Sequence, residues 1–324
     1  MKRAAKFFLY AAIALVVMIT LALSYAFLGL PNVDDAPPLV VESTPEQVAR
    51  GRYLAYHVMV CADCHSQRDF SVFSAPPTPG TEFVGGDVFD ASMGFPGRFI
   101  SPNITPHGVG DWTDGELFRL ITTGVKRDGD PIFPVMPYHG YGKLDPQDIE
   151  AVIAFLRTLQ PVESAHPKST ADFPMNIIMR TMPKNAEMAP KPAESDHVAY
   201  GGYLFTAAGC ADCHTQFEKG AFVGPVGGGG REFKFPDGSI LRAPNLTPHE
   251  TGLQHFTKEA FVQRFKQYTD SAFVLPQVKP GEMQTLMPWY MYSGMTESDL
   301  GAIYDYLRTL APYDNPVERF VSAR

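Results

Sequence analysis

The sequence predicts an all-α chain in which two equivalent domains, each of about three main helices, follow an amino-terminal transmembrane helix. Three observations carry this reading. The word Cys-Ala-Asp-Cys-His is written twice, at 61–65 and at 210–214. The segments around the two copies match from an opening helix to a shared Leu-Arg-Thr-Leu, at 156–159 and at 307–310. An uncharged apolar run from Phe7 to Leu30 precedes both. Self-similarity at a fixed spacing marks a repeated structural unit.

The apolar run is long enough to cross a bilayer as a helix. Signal-peptide cores usually reach only about 7–15 apolar residues, so a retained anchor over residues 1–30 is favoured, although Ser24-Tyr25-Ala26 offers a small-residue cleavage site. Lys2, Arg3 and Lys6 place the amino end in the cytoplasm and send the remainder outside. Residues 31–44, bearing Pro and Asp, read as a stalk.

Domain one, 45–162, opens with Thr44-Pro45-Glu46-Gln47: a cap, a proline at the first helical position and a glutamine three residues after the cap. The helix is expected to run to about Met59 and deliver Cys61. Its counterpart in domain two, 197–315, is His197–Ala208, delivering Cys210. Tyr53-Leu54 matches Tyr203-Leu204, with one extra residue before the cysteine in the first copy. Loops rich in Gly and Pro follow, where Phe83-Val84-Gly85 answers Phe222-Val223-Gly224. Ser101-Pro102-Asn103-Ile104-Thr105-Pro106-His107 answers Ala243-Pro244-Asn245-Leu246-Thr247-Pro248-His249. A capping box, Thr113 to Glu116, starts a middle helix carrying Leu117, Phe118, Leu120 and Ile121; the second copy starts near Thr257 with Phe261, Val262 and Phe265.

The third helices open at Asp145-Pro146 and at Thr296 and bury Ile149, Val152, Ile153 and Leu156, or Leu300, Ile303, Tyr304 and Leu307, at helical spacing. Between the domains, 163–196 reads as a linker in which Phe173 to Met179 is apolar enough to pack between them. Residues 316–324 form a tail.

The chemistry lies in the repeated word. Two thiols three positions apart add to the two vinyl groups of one haem, and the following histidine becomes the proximal iron ligand. The expected cofactors are therefore two covalently attached c-type haems, one on Cys61, Cys64 and His65, the other on Cys210, Cys213 and His214. These motifs use all four cysteines. A zinc site built from two Cys-x-x-Cys knuckles gives no reason for a histidine directly after each pair, and a thioredoxin-like motif explains neither that histidine nor the duplication.

The second axial ligand decides between a closed, electron-transferring haem and an open one. Aligning the third helices backwards sets Met136-Pro137-Tyr138 on Met287-Pro288-Trp289, 71 residues after His65 and 73 after His214. Met136 and Met287 are thereby singled out of thirteen methionines; Met93, Met283 and Met295 read as core filler. His107 and His249, also at matched positions, are the rival ligand pair. Arg98 and Arg242, beside the Pro-Asn loops, are candidates to pair with haem propionates.

Without residues 1–30 the chain carries 24 Lys and Arg against 35 Asp and Glu. That acidic field disfavours nucleic acid and anionic surfaces and suits basic protein partners, while also serving solubility.

These residues together resemble tandem class I c-type cytochromes, and in particular the cytochrome c subunit of membrane-bound alcohol and sugar dehydrogenases. The likeness rests on the two Cys-Ala-Asp-Cys-His motifs, the two Pro-Asn-x-Thr-Pro loops, the two Met-Pro pairs and the Leu-Arg-Thr-Leu helix ends, over about 45 to 312. Such subunits commonly carry three haem motifs, and this sequence carries two. The resemblance implies two tandem cytochrome c domains on the periplasmic face of a bacterial inner membrane, relaying single electrons with no catalysis of their own. A dehydrogenase or respiratory donor would supply them, and an acceptor such as a terminal oxidase or a small cytochrome would take them. The rival from another class is a dihaem cytochrome c peroxidase, which needs one open iron; a haem-based sensor is a third.

Overall fold

The computed structural model describes residues 2–218, 220–269 and 273–323. Met1 and Arg324, the outer ends of the expected anchor and tail, lie outside the described residues. Helix α1, Lys2–Leu28, is the one helix among the described residues long and apolar enough to cross a membrane, judged by length and composition. The segment after it is no free stalk. The Asp34 N–H donates to Asn185 Oδ1 (2.8 Å) and the Val41 N–H to Asp114 Oδ2 (2.9 Å). The Pro37 carbonyl lies so close to Gly115 that a Cβ there would come within 1.8 Å of it. Extended Pro-rich backbone has no internal hydrogen bonds, and here it finds partners on the first half and on the segment between the halves.

That half contains α2 (Pro45–Tyr53), α3 (Asp114–Thr123) and α4 (Pro146–Thr158). The second contains α5 (His197–Ala207), α6 (Lys258–Lys266) and α7 (Glu297–Leu307). Each starts where its capping residue predicts: the side chains of Thr44, Thr113, Asp145, Asp196, Thr257 and Thr296 all accept a backbone N–H of the first turn.

In both halves the first helix crosses the third at a glycine. A Cβ on Gly51 would lie 1.8 Å from the Ala151 carbonyl oxygen, and one on Gly201 1.9 Å from that of Ala302. No other residue permits backbones to approach so closely. The extra residue of the first copy is absorbed in a π-turn, Leu54–Val58, closed by Met59 N–H to Leu54 O (2.7 Å); α5 has no such turn. Thus α2 ends earlier than the expected Met59, yet the chain still delivers its cysteines.

Small antiparallel sheets amend the all-α expectation. In the first half β1 (Val88–Phe89), β2 (Gly97–Ile100) and β3 (Thr170–Ala171) pair in that order. In the second, β4 (Phe217–Glu218) and β5 (Ala221–Phe222) form a hairpin, while β6 (Glu232–Lys234), β7 (Ile240–Arg242) and β8 (Phe320–Val321) form a second three-stranded sheet. β3 comes from the expected linker and β8 from the expected tail, so each half returns to its own sheet after its third helix. The linker reading fails at a second point: Phe173 is 80% exposed and does not pack between the halves.

One continuous core runs through both halves, joining Leu54, Val58, Ile149 and Ile153 to Leu204, Phe205, Leu300 and Ile303. The contact is reciprocal. Tyr53 of the first half donates to Asp299 Oδ2 of the second (2.5 Å), and Tyr203 of the second donates to Asp148 Oδ2 of the first (2.6 Å). Tyr53 and Tyr203 occupy matched positions, as do Asp148 and Asp299, so the halves meet through like surfaces. Arg50 adds a two-pronged ion pair to Asp148, at 2.9 and 2.7 Å. Burial opposes ionisation of Asp148, but Arg50 and Tyr203 outweigh it and hold the carboxyl below its ordinary value.

Two outcomes are expected. Gly51→Ala and Gly201→Ala should each cost about 1–3 kcal/mol or more, read by chemical denaturation of the holoprotein, because the added methyl falls on backbone that cannot yield. Asp148→Asn should cost about 1–3 kcal/mol near neutral pH. A depressed carboxylate stabilises above its unfolded pKa and loses that effect as pH falls through the lower folded value, so the gap between wild type and variant should shrink on acidification below about pH 4.

Candidate functional site

Each Cys-Ala-Asp-Cys-His word opens from a residue in left-handed conformation, Val60 (φ 47°) and Gly209 (φ 62°), and coils into a one-turn helix, Cys61–Cys64 and Cys210–His214. A β-branched residue is strained there and a glycine is not, so the first copy holds this turn against a cost that the second avoids. No disulfide joins the four cysteine thiols. Burial pushes those of Cys61, Cys64 and Cys210 up to about 12.

The histidines are aimed by the loops the sequence repeats. His65 Nδ1 lies 2.9 Å from the Pro102 carbonyl and His214 Nδ1 2.9 Å from the Pro244 carbonyl. A carbonyl only accepts, so Nδ1 carries the proton and Nε2 keeps its lone pair, the arrangement of a metal-ligating imidazole. Burial lowers both pKa values, against the pull of the proline carbonyls, which keeps both rings neutral at physiological pH.

Those carbonyls are held in turn. Asn103 Oδ1 accepts from the Thr105 N–H (2.9 Å) and hydroxyl (2.7 Å), and its Nδ2 donates to Val162 O (2.8 Å). Asn245 repeats this with Thr247, at 2.9 and 2.8 Å, and with Tyr313 O at 2.7 Å. The Pro-Asn-x-Thr-Pro loop is thus a bracket for the histidine.

The two Met-Pro pairs adopt one shape. Tyr138 N–H donates to Met136 O and Trp289 N–H to Met287 O, both at 2.8 Å, around Pro137 (φ −79°, ψ 52°) and Pro288 (φ −80°, ψ 64°). These are inverse γ-turns. Met136 and Met287 are both half-buried against the core. A tyrosine five residues after each methionine ties its turn to the chain before the cysteines: Tyr141 donates to Met59 O (3.0 Å) and Tyr292 to Ala208 O (2.6 Å). The sequence reading passed over Tyr141 and Tyr292, although their equal offset was a signal.

The Met287 turn is also held by the other half. Ser74 Oγ donates to Met287 O (2.7 Å) and accepts from Trp289 N–H (3.0 Å). Gln284 Oε1 accepts from Ser74 N–H (2.9 Å), while its Nε2 donates to Phe70 O and Val72 O. Nothing local in the sequence announces this contact across more than 200 residues.

A buried cluster underlies the first motif, where Arg68 reaches Asp87 (2.6 Å) and Asp63 (3.3 Å). Burial, reinforced by Asp87 and opposed by Arg68, pushes the Asp63 carboxyl up to about 6.

Other candidates stand elsewhere. His107 is exposed, and His249 Nδ1 faces the Thr251 hydroxyl (3.0 Å). Arg242 pairs with Glu232 across the β6–β7 ladder (2.7 Å) and is engaged otherwise than expected, while Arg98 is exposed on β2. Met295 is core filler; Met283, 43% exposed, is not, and Met93 is half-buried in a short 3-10 turn. Among the described residues no three His, Cys, Asp or Glu side chains gather as a zinc site would need. The residues fit a covalent haem instead: paired thiols beside an imidazole whose Nε2 is free. Tyr138 Oη, buried without a partner two residues after Met136, is a polar atom that a bound group could satisfy.

The cytochrome c family model matches residues 198–311. The chain contains a cytochrome c domain. A domain of this family implies a covalently attached c-type haem, and the matched residues include Cys210, Cys213, His214 and Met287. The chain is also 27% identical over 298 residues to the fructose dehydrogenase cytochrome subunit of Gluconobacter japonicus, covering 86% of this chain and 56% of that protein. It is 26% identical over 301 residues to the alcohol dehydrogenase (quinone) cytochrome c subunit of Gluconobacter oxydans (strain 621H), covering 88% and 59%. To a diheme cytochrome c-type protein of Cereibacter sphaeroides it is 32% identical over 164 residues, covering 48% and 53%. The chain therefore spans little more than half the length of these relatives.

Removal of the Ser74 hydroxyl should loosen the Met287 turn selectively. In Ser74→Ala, amide exchange at Trp289 should rise about three- to tenfold, the equivalent of one net hydrogen bond, with Tyr138 unchanged. Equal exchange at both sites would show that the contact is without consequence.

Proposed function

We propose that the chain is a membrane-anchored dihaem c-type cytochrome that relays single electrons on the periplasmic face of a bacterial inner membrane. One observation carries the reading: the same construction occurs twice, a Cys-x-x-Cys-His imidazole aimed by a proline carbonyl and a Met-Pro γ-turn tied to the chain before the cysteines. The two domains are 45–171 and 197–323, each closed by its returning strand. Cys61 and Cys64 hold one haem with His65 and Met136 as axial ligands; Cys210 and Cys213 hold the other with His214 and Met287. The haems supply reversible one-electron chemistry when bound.

The side chains do the rest. Pro102 and Pro244 fix the imidazole tautomer, and hydrogen bonding at Nδ1 raises ligand basicity. Tyr141, Tyr292 and Ser74 hold the backbone of the methionine turns. The apolar core shared by both halves keeps water from the sites and sets the dielectric on which potential depends. No acid, base or nucleophile is required. The names of the relatives support a dehydrogenase as electron donor; a terminal oxidase or small cytochrome as acceptor follows from the relay role. Helix α1 supports anchoring, with the basic Arg3 and Lys6 on the cytoplasmic side.

The holoprotein should contain two haems per chain, and its oxidised form should show the weak thioether-to-iron band at the red end of the spectrum. Met136→Ala and Met287→Ala should each remove part of that band and the double variant all of it. Absence of the band from the wild-type protein would return the ligand role to His107 and His249, and an unchanged band in both variants would assign it to other methionines. The reduced protein should bind carbon monoxide only slowly. Rapid stoichiometric binding at one haem would favour a peroxidase-type open site.

A further inference from the structure

Among the described residues, the segment between the halves exposes the apolar side chains of Phe173 and Ile178, and their position says what covers them. Phe173 is 80% exposed and Ile178 42% exposed, on and beside a short helix, Met175–Ile178, that continues as a 3-10 turn, Met179–Thr181. Arg180 in that turn fastens the segment to the outer end of α1. Its guanidinium stacks over the Phe27 ring at 5.0 Å, donates to the Leu30 carbonyl at 3.2 Å, and pairs with Asp130 at 2.5 Å.

The span ends at Leu28, so groups tied to Phe27 and Leu30 stand at the outer edge of the bilayer. The seven residues from Met175 to Thr181 extend only about 10 Å, and the headgroup zone is about 5–8 Å deep on each side. The whole segment therefore lies within reach of that zone. Aromatic rings favour this depth, and arginine and lysine stems extend from it to the charged surface. Lys168 and Lys184, both exposed, flank the segment. Against Asp172 beside Phe173, and with Asp130 paired to Arg180, they leave a small basic excess in a chain that is otherwise acidic outside the membrane.

We propose that Phe173–Arg180 is an interfacial foot that dips into the outer leaflet beside α1. It sets the angle at which the two halves stand on the membrane. The inference rests on α1 being a retained anchor. The chain leaving α1 is already held at Asp34 and Val41. A second contact, locked to the helix end by Arg180, adds to that hold and keeps one face of the molecule toward the bilayer.

The test uses the full-length holoprotein reconstituted in vesicles of phosphatidylethanolamine and phosphatidylglycerol. The vesicles carry a photoactivated carbene probe dissolved in the acyl chains, and adducts are mapped by mass spectrometry of tryptic peptides. Trypsin releases the foot as Ser169–Arg180 and most of α1 within Phe7–Arg50. Adducts are expected on both, with those of the first concentrated at Phe173 and Ile178. They should be lost from Ser169–Arg180, and kept on Phe7–Arg50, in a Phe173→Asp, Ile178→Asp variant whose haem spectrum is unchanged. Labelling of Phe7–Arg50 alone overturns the foot and leaves the anchor, assigning the apolar face to a protein. Labelling of Ser169–Arg180 alone overturns the anchor and, with it, the foot as a second contact beside α1. Labelling of neither overturns both.

Discussion

The close crossing of the first helix on the third, at Gly51 and at Gly201, fixes the distances on which both sites depend. Because α2 and α5 lie almost directly on the backbones of α4 and α7, the chain leaving each first helix emerges at a set height above the chain entering each third helix. The cysteines follow the first of these chains and the methionine turn precedes the second. Tyr141 and Tyr292 can therefore reach Met59 O and Ala208 O with an ordinary hydrogen bond. Widening the crossing by one methyl would lengthen that reach. Packed interiors transmit such shifts instead of absorbing them.

The same crossing gives the halves a common face. Tyr53 and Tyr203 project from the first helices to the amino-terminal turns of the partner half's third helix, where Asp299 and Asp148 wait. Buried hydroxyl-to-carboxylate bonds of this kind discriminate strongly between registers, because a slipped arrangement leaves a carboxylate in the core without a donor. The symmetry is not complete. Ser74 and Gln284 bind the Met287 turn to the first half, whereas near the Met136 turn the Tyr203 hydroxyl accepts from the Asp145 N–H (3.3 Å) and a Cβ on Gly209 would lie 3.8 Å from Pro137. Among the described residues, side-chain hydrogen bonds from the other half reach the Met287 turn and not the Met136 turn. Two haems of like ligation can differ in potential through such unequal surroundings.

The foot at Phe173–Arg180 and the packed segment at 31–44 extend this logic toward the membrane. Both were read from sequence as connections, and both are fastened. Asp34 and Val41 use their backbone amides on Asn185 and Asp114, and Arg180 holds Phe27 and Leu30. The path from α1 to the first half is therefore stiff in three places.

The sequence by itself determined the cofactor chemistry, the repeat and the candidate ligands. Thiol spacing and the adjoining histidine are local, and matched positions in two copies separate Met136 and Met287 from the other methionines without knowledge of the fold. Helix starts were legible for the same reason, since a cap acts within one turn. The Pro-Asn-x-Thr-Pro loops were visible as a pattern, but their purpose was not, because the carbonyl they present is a backbone atom and leaves no trace in residue type.

Only the tertiary structure decided what joins residues far apart. The Ser74 clamp, the Tyr–Asp exchange, the third strands at 170–171 and 320–321 and the exposure of Phe173 depend on contacts with no period and no local preference. An apolar stretch such as Phe173 to Met179 reads alike whether it faces a core or a bilayer. What separates the two is where the chain has already placed its neighbours.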